Sequence, residues 1–323
     1  MTHRVAVSII NYRTAELTLA SVQSVLDDLR GIDGHVVVVD NASGDGSAER
    51  IAEWLAAHPE APVTLVHSAT NTGFSGGHNQ GIAAVRAGLY LLLNSDAVVR
   101  PGFFRTILAA AEAHPEAGLF APRIAWDDGT PQVSTFRFAS PVSEFSRGAN
   151  TGWIRKALAR WEVSIGPDPE PGRIGWASFA CIALRARMIE AIGPMDEGYF
   201  LYFEDAEYCL RARRTGWRIA WVPQAVAVHF RGGSGPVKAL ARERKRLPAY
   251  YYASRTRFLY QAHGRAGLIL ANAGWIAGRG VNRLRRLFGK DIYPSAEAER
   301  HDIWINALDP LGPRRAPGES PAE

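Results

Sequence analysis

Asn94-Ser95-Asp96 follows the apolar run Leu89-Tyr90-Leu91-Leu92-Leu93 and precedes Ala97-Val98-Val99. This pattern predicts a buried strand with a carboxylate at its C-terminal tip. Open α/β sheets bind ligands at that edge. A carboxylate there suits a hard divalent cation that holds a diphosphate. Mg²⁺ takes one or two protein carboxylates and completes its shell with phosphate oxygens. The tripeptide is also ordinary turn chemistry, so its neighbours must decide between a turn and a metal site.

Four other groups bear on that choice. Val39-Asp40 ends a second apolar run and leads into Asn41-Ala42-Ser43-Gly44-Asp45-Gly46-Ser47. An acid so placed reaches a ribose or base in many α/β folds; the alternative is a βα turn capped by Asp45 or Ser47. Asn71-Thr72-Gly73-Phe74-Ser75-Gly76-Gly77-His78-Asn79 is glycine-rich and precedes a helix, so backbone and helix N-terminus can approach an anion. It lacks the Gly-Lys-Ser/Thr of a Walker loop. Glu204-Asp205-Ala206-Glu207 opens another helix behind Tyr199-Phe200 and Tyr202-Phe203. Such acids serve either as dipole partners or as a general base with its pKa tuned by partial burial. His229 ends a strand and is either structural or a second metal ligand.

These groups need strand tips to hold them. Strands are expected over 5–10, 36–39, 63–66 and 89–93, with helices over 14–30, 47–58, 78–88 and 103–114 and a glycine-rich loop over 71–77. Alternation of this kind predicts a mostly parallel sheet flanked by helices. Residues 122–172 read as irregular strands and variable loop. Strands return over 173–184, 218–222 and 225–230, with a helix over 204–215. A basic helix or helix pair is expected over 236–264, then an apolar stretch over 266–288, and a Pro-rich disordered tail at the end.

The chain has 323 residues, 47% hydrophobic and 21% charged, which is a globular composition. Its +5 net charge is uneven: residues 238–290 hold 13 Lys/Arg against one acid, Glu243, which leaves the rest net acidic. That distribution, with no recognition motif, argues against nucleic acid. Cys181 and Cys209 have no metal-ligand spacing and read as buried thiols in a reducing cytosol. No signal peptide is visible, and no stretch reaches the roughly 18 apolar residues of a membrane span.

Taken in order, these blocks resemble a family 2 glycosyltransferase with the GT-A fold. The resemblance runs from Val7-Ser8-Ile9-Ile10-Asn11-Tyr12 through Asp40, the Asn71–Asn79 segment, Asn94-Ser95-Asp96 and Phe203-Glu204-Asp205-Ala206-Glu207 to the His229 segment. It is nearest the rhamnosyltransferase type, which uses dTDP-L-rhamnose and builds bacterial surface polysaccharides. The resemblance implies that Asn11, Tyr12, Asp40, Asn41, Ser43 and Asp45 lie near the nucleotide. Asn71, Gly73, Phe74, Gly76, Gly77 and Asn79 shape the sugar-nucleotide pocket, with Asn94 and Ser95 beside it. Asp96 binds Mg²⁺ or Mn²⁺, and His229 helps. Asp205 is the catalytic base, assisted by Glu204 and Glu207. Trp176 lies in a segment that lines the donor or acceptor site. Asn94 departs from the usual acid, and a neutral amide oxygen is a weaker ligand, so the diphosphate carries more of the coordination.

The expected organisation is a GT-A domain over 1–235, a basic helical extension over 236–308 and a disordered tail over 309–323. The expected reaction is inverting transfer from a nucleotide-diphosphate sugar to a saccharide or lipid-linked acceptor. The alternatives are a UDP-hexose or UDP-galactofuranose donor, or a nucleotide-sugar-binding protein without turnover. Arg242, Arg244, Lys245, Arg246, Arg279, Arg283, Arg285 and Arg286 are expected either to meet an anionic membrane surface or to be a solvated face. The expected location is cytoplasmic, peripheral at the inner face of the cell membrane.

Overall fold

The structure, a computed structural model, describes residues 2–230, 237–289 and 291–317. Arg231 to Ser234 and the expected boundary at 235 lie outside the described residues. The first part of the chain alternates as its apolar pattern requires. β1 (His3–Asn11), α1 (Ala15–Asp28), β2 (Gly34–Asp40), α2 (Ser47–Ala57) and β3 (Val63–His67) come first. α3 (Gly73–Ala84), β4 (Ala87–Asn94), β5 (Ala97–Val99), α4 (Phe103–Ala113) and β6 (Ala117–Ala125) follow. Then come β7 (Thr135–Phe136), α5 (Pro141–Ala149), α6 (Gly152–Ala157), β8 (Trp176–Ala177), β9 (Cys181–Arg185) and α7 (Ala186–Ile192). The chain continues through α8 (Glu204–Arg214), β10 (Arg218–His229), α9 (Val237–Arg242), α10 (Ala249–Leu284) and α11 (Glu299–Asp302).

Eight strands form one sheet in the order β3-β2-β1-β4-β9-β6-β10-β5. Pairing is parallel from β3 to β4 and between β6 and β10, and antiparallel where β9 and β5 join. Val5, Val7 and Ile9 of β1 face one core and Ala6 the other, so consecutive residues are buried. That is why these strands read as unbroken apolar runs. Only Ser95 and Asp96 separate β4 from β5, yet β5 pairs with β10 at the far end of the order. The sheet must curl to allow this.

Four expectations are corrected. The glycine-rich run is the first turns of α3, not a loop before it. The region expected as irregular strands and loop over 122–172 begins with the end of one regular strand, 117–125, and also holds the helices α5 and α6. The strands expected over 218–222 and 225–230 are one strand, β10, whose register against β6 shifts between Val222 and Val226, where Pro223 lacks a donor for the ladder. Finally, residues 309–317 are held rather than disordered: Arg257 donates to the Gly312 carbonyl at 3.3 Å and Arg314 to the Thr72 carbonyl at 2.9 Å.

The C-terminal segment is a helix pair, with a break inside α10 at Gly264 (φ 70°, ψ −176°). α10 buries Tyr252, Phe258, Leu259 and Trp275, each side chain worth roughly 1.5–3 kcal/mol. Its basic charge is partly spent internally. Arg246 pairs with Asp302 at 2.8 Å, Arg255 with Glu144 at 2.6 Å, Arg257 with Asp196 at 2.9 Å and Lys245 with Glu243 at 2.7 Å. Arg246 and Lys245, just before α10, are thus each paired with an acid while their side chains stay exposed. No helix among the described residues is long and apolar enough to cross a membrane. Cys181 and Cys209 are free and buried, and burial pushes both thiol pKa values up.

Candidate active site at the sheet edge

The C-terminal tips of β1, β2 and β4 frame a cavity of about 420 Å³. Ile10, Tyr12 and Arg13 supply one wall; Asn41, Asn71, Gly73, Phe74 and His78 supply another; Asn94 and Ser95 close the side toward β5. Phe200, Leu201, Tyr250 and Pro317 cover it. Tyr250 comes from α10 and its ring lies 5.5 Å from that of Phe200, so the C-terminal helix completes the cavity.

Polar side chains knot the strand tips beneath it. Asn11 Nδ2 donates to Asp40 at 2.7 Å and to Ser43 Oγ at 3.1 Å. Ser43 Oγ donates to Asp40 Oδ1 at 2.6 Å, and the Ser43 N–H to Asp40 Oδ2 at 3.2 Å. Asn41 Nδ2 donates to the Gly73 carbonyl at 3.0 Å, and its oxygen accepts from the Thr72 N–H at 2.9 Å. The buried groups of β1, β2 and the start of α3 thus satisfy one another.

The glycines of α3 allow close packing. Gly73 adopts φ +72°, and a Cβ there would run into the Phe200 carbonyl. A Cβ on Gly76 would come within 2.6 Å of Thr72 Cβ, and one on Gly77 within 2.7 Å of Ile10 Cδ1. Gly76 and Gly77 therefore shape the cavity from behind. His78, one turn on, is buried with Nδ1 2.9 Å from Ser8 Oγ and its ring 4.4 Å from that of Phe74. Its Nε2 has no partner, and burial holds its pKa down at about 3, so the ring is neutral.

Asp96 and His229 meet because β5 and β10 pair antiparallel with His229 opposite Ala97. His229 Nε2 lies 3.0 Å from Asp96 Oδ1 and 3.4 Å from the Asn94 side-chain nitrogen. One ring nitrogen cannot donate to Asp96 and accept from Asn94 at once. The shorter contact is the hydrogen bond, and the reverse amide orientation turns the Asn94 oxygen toward the same point. A buried carboxylate, an imidazole and an amide oxygen suit a divalent cation whose shell is finished by phosphate oxygens. Among the described residues no group of three or more His, Cys, Asp or Glu could hold a metal alone.

The acids at the start of α8 differ in kind. Tyr202 and Phe203, with φ +72° and +68°, turn the chain into the helix in a left-handed conformation costing about 1–3 kcal/mol per residue. Phe203 is held between Tyr251 and Phe258. Glu204 is buried and its Oε2 has no partner. Burial, then the nearby Asp205 charge, push its pKa well above the carboxylate range. Asp205 is half-buried. Burial pushes its pKa up to about 7, against the N–H groups of Ala206 and Phe179, the former 2.8 Å from Oδ1.

Residues 3–248 match the family model described as glycosyltransferase like family 2. The chain belongs to that family. It is 28% identical over 231 residues to the N-acetylglucosaminyl-diphospho-decaprenol L-rhamnosyltransferase of Mycobacterium tuberculosis, covering 65% of this chain and 72% of that protein. It is 25% identical over 228 residues to the low-salt glycan biosynthesis hexosyltransferase Agl10 of Haloferax volcanii, covering 69% and 66%. Two solved structures share its fold. The mannosyltransferase of Pyrobaculum calidifontis in complex with GDP-Man and Mn²⁺ superposes with a TM-score of 0.51 at 15% identity, covering 96% of this chain and 85% of that one. GalNAc-T7 with UDP, GalNAc and Mn²⁺ gives 0.60 at 13% identity, covering 97% and 59%. The fold is GT-A, as the resemblance implied. Both neighbours hold a divalent metal.

Within this family 2 domain, several residues expected in the pocket are employed elsewhere. Asp45 is exposed and accepts from the Ser47 N–H at 3.1 Å, so it caps α2, which was the alternative reading of that turn. Asn79 exchanges hydrogen bonds with Met195, 2.9 Å and 3.0 Å, and anchors the segment before Tyr199. Glu207 is committed to Arg211 at 2.9 Å and 3.1 Å. Trp176 stacks on Phe136 at 4.3 Å and donates to the Arg137 carbonyl at 3.0 Å, although Phe179 of the same segment reaches Asp205. Asn11, Asp40 and Ser43 support the cavity from below rather than lining it. Sequence reasoning named Phe200 only as an aromatic before the α8 acids, and it missed His78, Arg13, Tyr250 and Pro317 as cavity residues. Only His78 carried a signal: it follows Phe74 at the i, i+4 spacing of one helix face.

Proposed function

We propose that the chain is an inverting glycosyltransferase. It moves a sugar, L-rhamnose from dTDP-L-rhamnose, to a hydroxyl of a saccharide on a polyprenyl diphosphate for cell-envelope polysaccharide. It works in the cytoplasm at the inner face of the membrane. Asp205 carries this reading: a half-buried carboxylate with a pKa near 7, close in sequence to Phe200 and Leu201 of the cavity cover. A base poised near working pH is suited to proton abstraction.

The acceptor oxygen attacks the anomeric carbon as the bond from that carbon to the diphosphate breaks. Asp205 takes the acceptor proton. One displacement inverts the configuration. Glu204 keeps its own proton, which spares Asp205 a second adjacent negative charge. Tyr12, Asn41, Asn71 and Phe74 hold and orient the nucleotide end, and the cover formed by Phe200, Leu201 and Tyr250 keeps water from the reacting carbon. Asp96 and His229, with Asn94 beside them, are the residues that would hold Mg²⁺ or Mn²⁺; a bound cation supplies charge for the departing diphosphate.

The similarity to a relative named a decaprenol-linked L-rhamnosyltransferase supports the donor and acceptor classes. The similarity to a hexosyltransferase favours a UDP-hexose as the second reading. A panel of nucleotide sugars, scored by product mass with a lipid-linked N-acetylglucosamine acceptor, tests both. Turnover of dTDP-rhamnose is expected. Turnover of a UDP-sugar alone overturns the donor assignment.

A further inference from the structure

A second cavity, of about 380 Å³, opens between α5, α10 and the segment before α11. It shares no lining residue with the cavity at the sheet edge. Four arginines face it: Arg147, Arg155, Arg244 and Arg279. Its three carboxylates are already engaged. Glu144 takes Arg147 at 2.8 Å and Arg255 at 2.6 Å, and although burial pushes its pKa up, those two cations hold it at about 2. Glu299 takes Arg147 as well. Glu162 takes Arg155 at 3.3 Å and the Ser146 hydroxyl.

That leaves two guanidinium groups without a carboxylate among the described residues. Arg279 is half-buried and donates to the Tyr293 carbonyl at 2.8 Å. Arg244 borders the same space and makes no ion pair. Burial lowers the Arg279 pKa; Glu299 opposes the shift, while Arg283, Arg147 and Arg244 push the same way as burial. Arg244 is exposed and Arg279 half-buried, so two like charges meet at one cavity mouth and favour an anion there, and two guanidinium forks match phosphate oxygens.

The surroundings are amphiphilic. Asn282 donates to the Ala149 carbonyl at 2.9 Å and so ties the end of α10 to the end of α5. Leu284, Leu287 and Phe288, together at the end of α10 and the turn after it, are exposed at 53%, 78% and 76%, and Trp153, which follows α5, at 71%; exposed apolar groups of this size mark an interaction surface. Arg283 and Arg286 lie among them, exposed. Aromatic and leucine side chains interleaved with arginine suit a membrane interface.

From these features we infer that the cavity lined by Arg244 and Arg279 binds the phosphate or diphosphate headgroup of a membrane lipid while the Trp153–Phe288 end enters the bilayer surface. The inference rests on the membrane-associated part of the proposed function and narrows it to one cavity. It is tested on the full chain by vesicle flotation. Phosphatidylcholine vesicles are doped, at equal total charge, with phosphatidylglycerol, whose phosphate is a diester, or phosphatidic acid, whose phosphate is terminal. The unmodified chain should prefer phosphatidic acid. The pair Arg244→Gln with Arg279→Gln should lose that preference by about tenfold or more, the worth of one charge-assisted hydrogen bond. The pair Arg283→Gln with Arg286→Gln removes the same charge outside the cavity and should weaken binding to both lipids alike. Equal losses from the two pairs overturn the cavity and leave surface attraction. A heat-stabilising response to inorganic diphosphate that the cavity pair abolishes, without any vesicle binding, overturns the lipid source. Transfer to a short water-soluble acceptor should be unchanged in both pairs, so the cavity can fail while the proposed reaction stands.

Discussion

The two sides of the sheet-edge site are built on opposite principles. Under the cavity, Asn11, Asp40, Asn41, Ser43 and Thr72 meet almost every polar need within the protein. At the start of α8, Glu204 keeps a carboxyl oxygen without a partner and Asp205 is met by backbone N–H groups alone, behind two residues in left-handed backbone. The first arrangement fixes a shape. The second keeps a carboxylate near neutrality at a cost in stability. The proposed reaction, which recognises a donor and deprotonates an acceptor, would use both, and they come from different parts of the chain.

The largest test of this contrast is Asp205→Asn. Transfer should fall by about 10²–10⁴-fold, the usual worth of a general base, while donor affinity, read by calorimetry, stays the same. Unchanged transfer would remove the base from α8. The same variant should be more heat-stable above pH 7. In the parent, the folded Asp205 carboxyl pKa, about 7, exceeds the ordinary value of 3.8, so the native state loses stability as pH rises between the two. The gain should shrink through that interval and vanish below it. Likewise, kcat/KM of the parent should fall as pH drops below about 7.

On the other side, Gly73→Ala places a Cβ against the Phe200 carbonyl at a positive φ. A loss of about 2–4 kcal/mol in urea unfolding is expected, through strain and displacement of the cavity cover. A neutral result would mean that this wall is pliable. Asn11→Ala should cost about 1–3 kcal/mol, because it removes one of the donors to the buried Asp40 carboxylate and leaves that carboxylate to Ser43 alone. Smallest is the effect of pH on donor binding through His78. Its ring stays neutral far below physiological pH, so His78→Gln should leave the pH profile of donor affinity between pH 5 and 8 unchanged, roughly the window in which an ordinary histidine titrates. A new pH dependence in the parent that the variant removes would contradict the neutral ring.

The strand tips were legible because parallel strands buried on both faces announce themselves as apolar runs. Val36–Val39 and Leu89–Leu93 mark where Asp40 and Asn94 must emerge. What lies past the tips was less so, because polar residues there serve packing and function with the same chemistry. Asp45 and Asp40 look alike in sequence, yet one caps a helix and the other is tied into the knot. Asn71 lines the cavity while Asn79 anchors a distant loop, and only the long-range contact to Met195 tells them apart. The glycines of α3 read as loop because glycine weakens an isolated helix; close contact with Ile10 and Phe200 makes them necessary. Tyr250 and Pro317 were invisible for a different reason: they reach the cavity from the far end of the chain, and no local pattern records that.

The sheltered positions of Cys181 and Cys209 have a practical use. With both thiols buried and poorly ionised, the folded chain offers alkylating probes little to react with. A cysteine introduced by Pro317→Cys would therefore be the one preferred point of attachment for a fluorophore, at the wall of the sheet-edge cavity. Such a conjugate would report arrival and departure of the nucleotide sugar in real time, with no radiolabel and no need for the acceptor to be known.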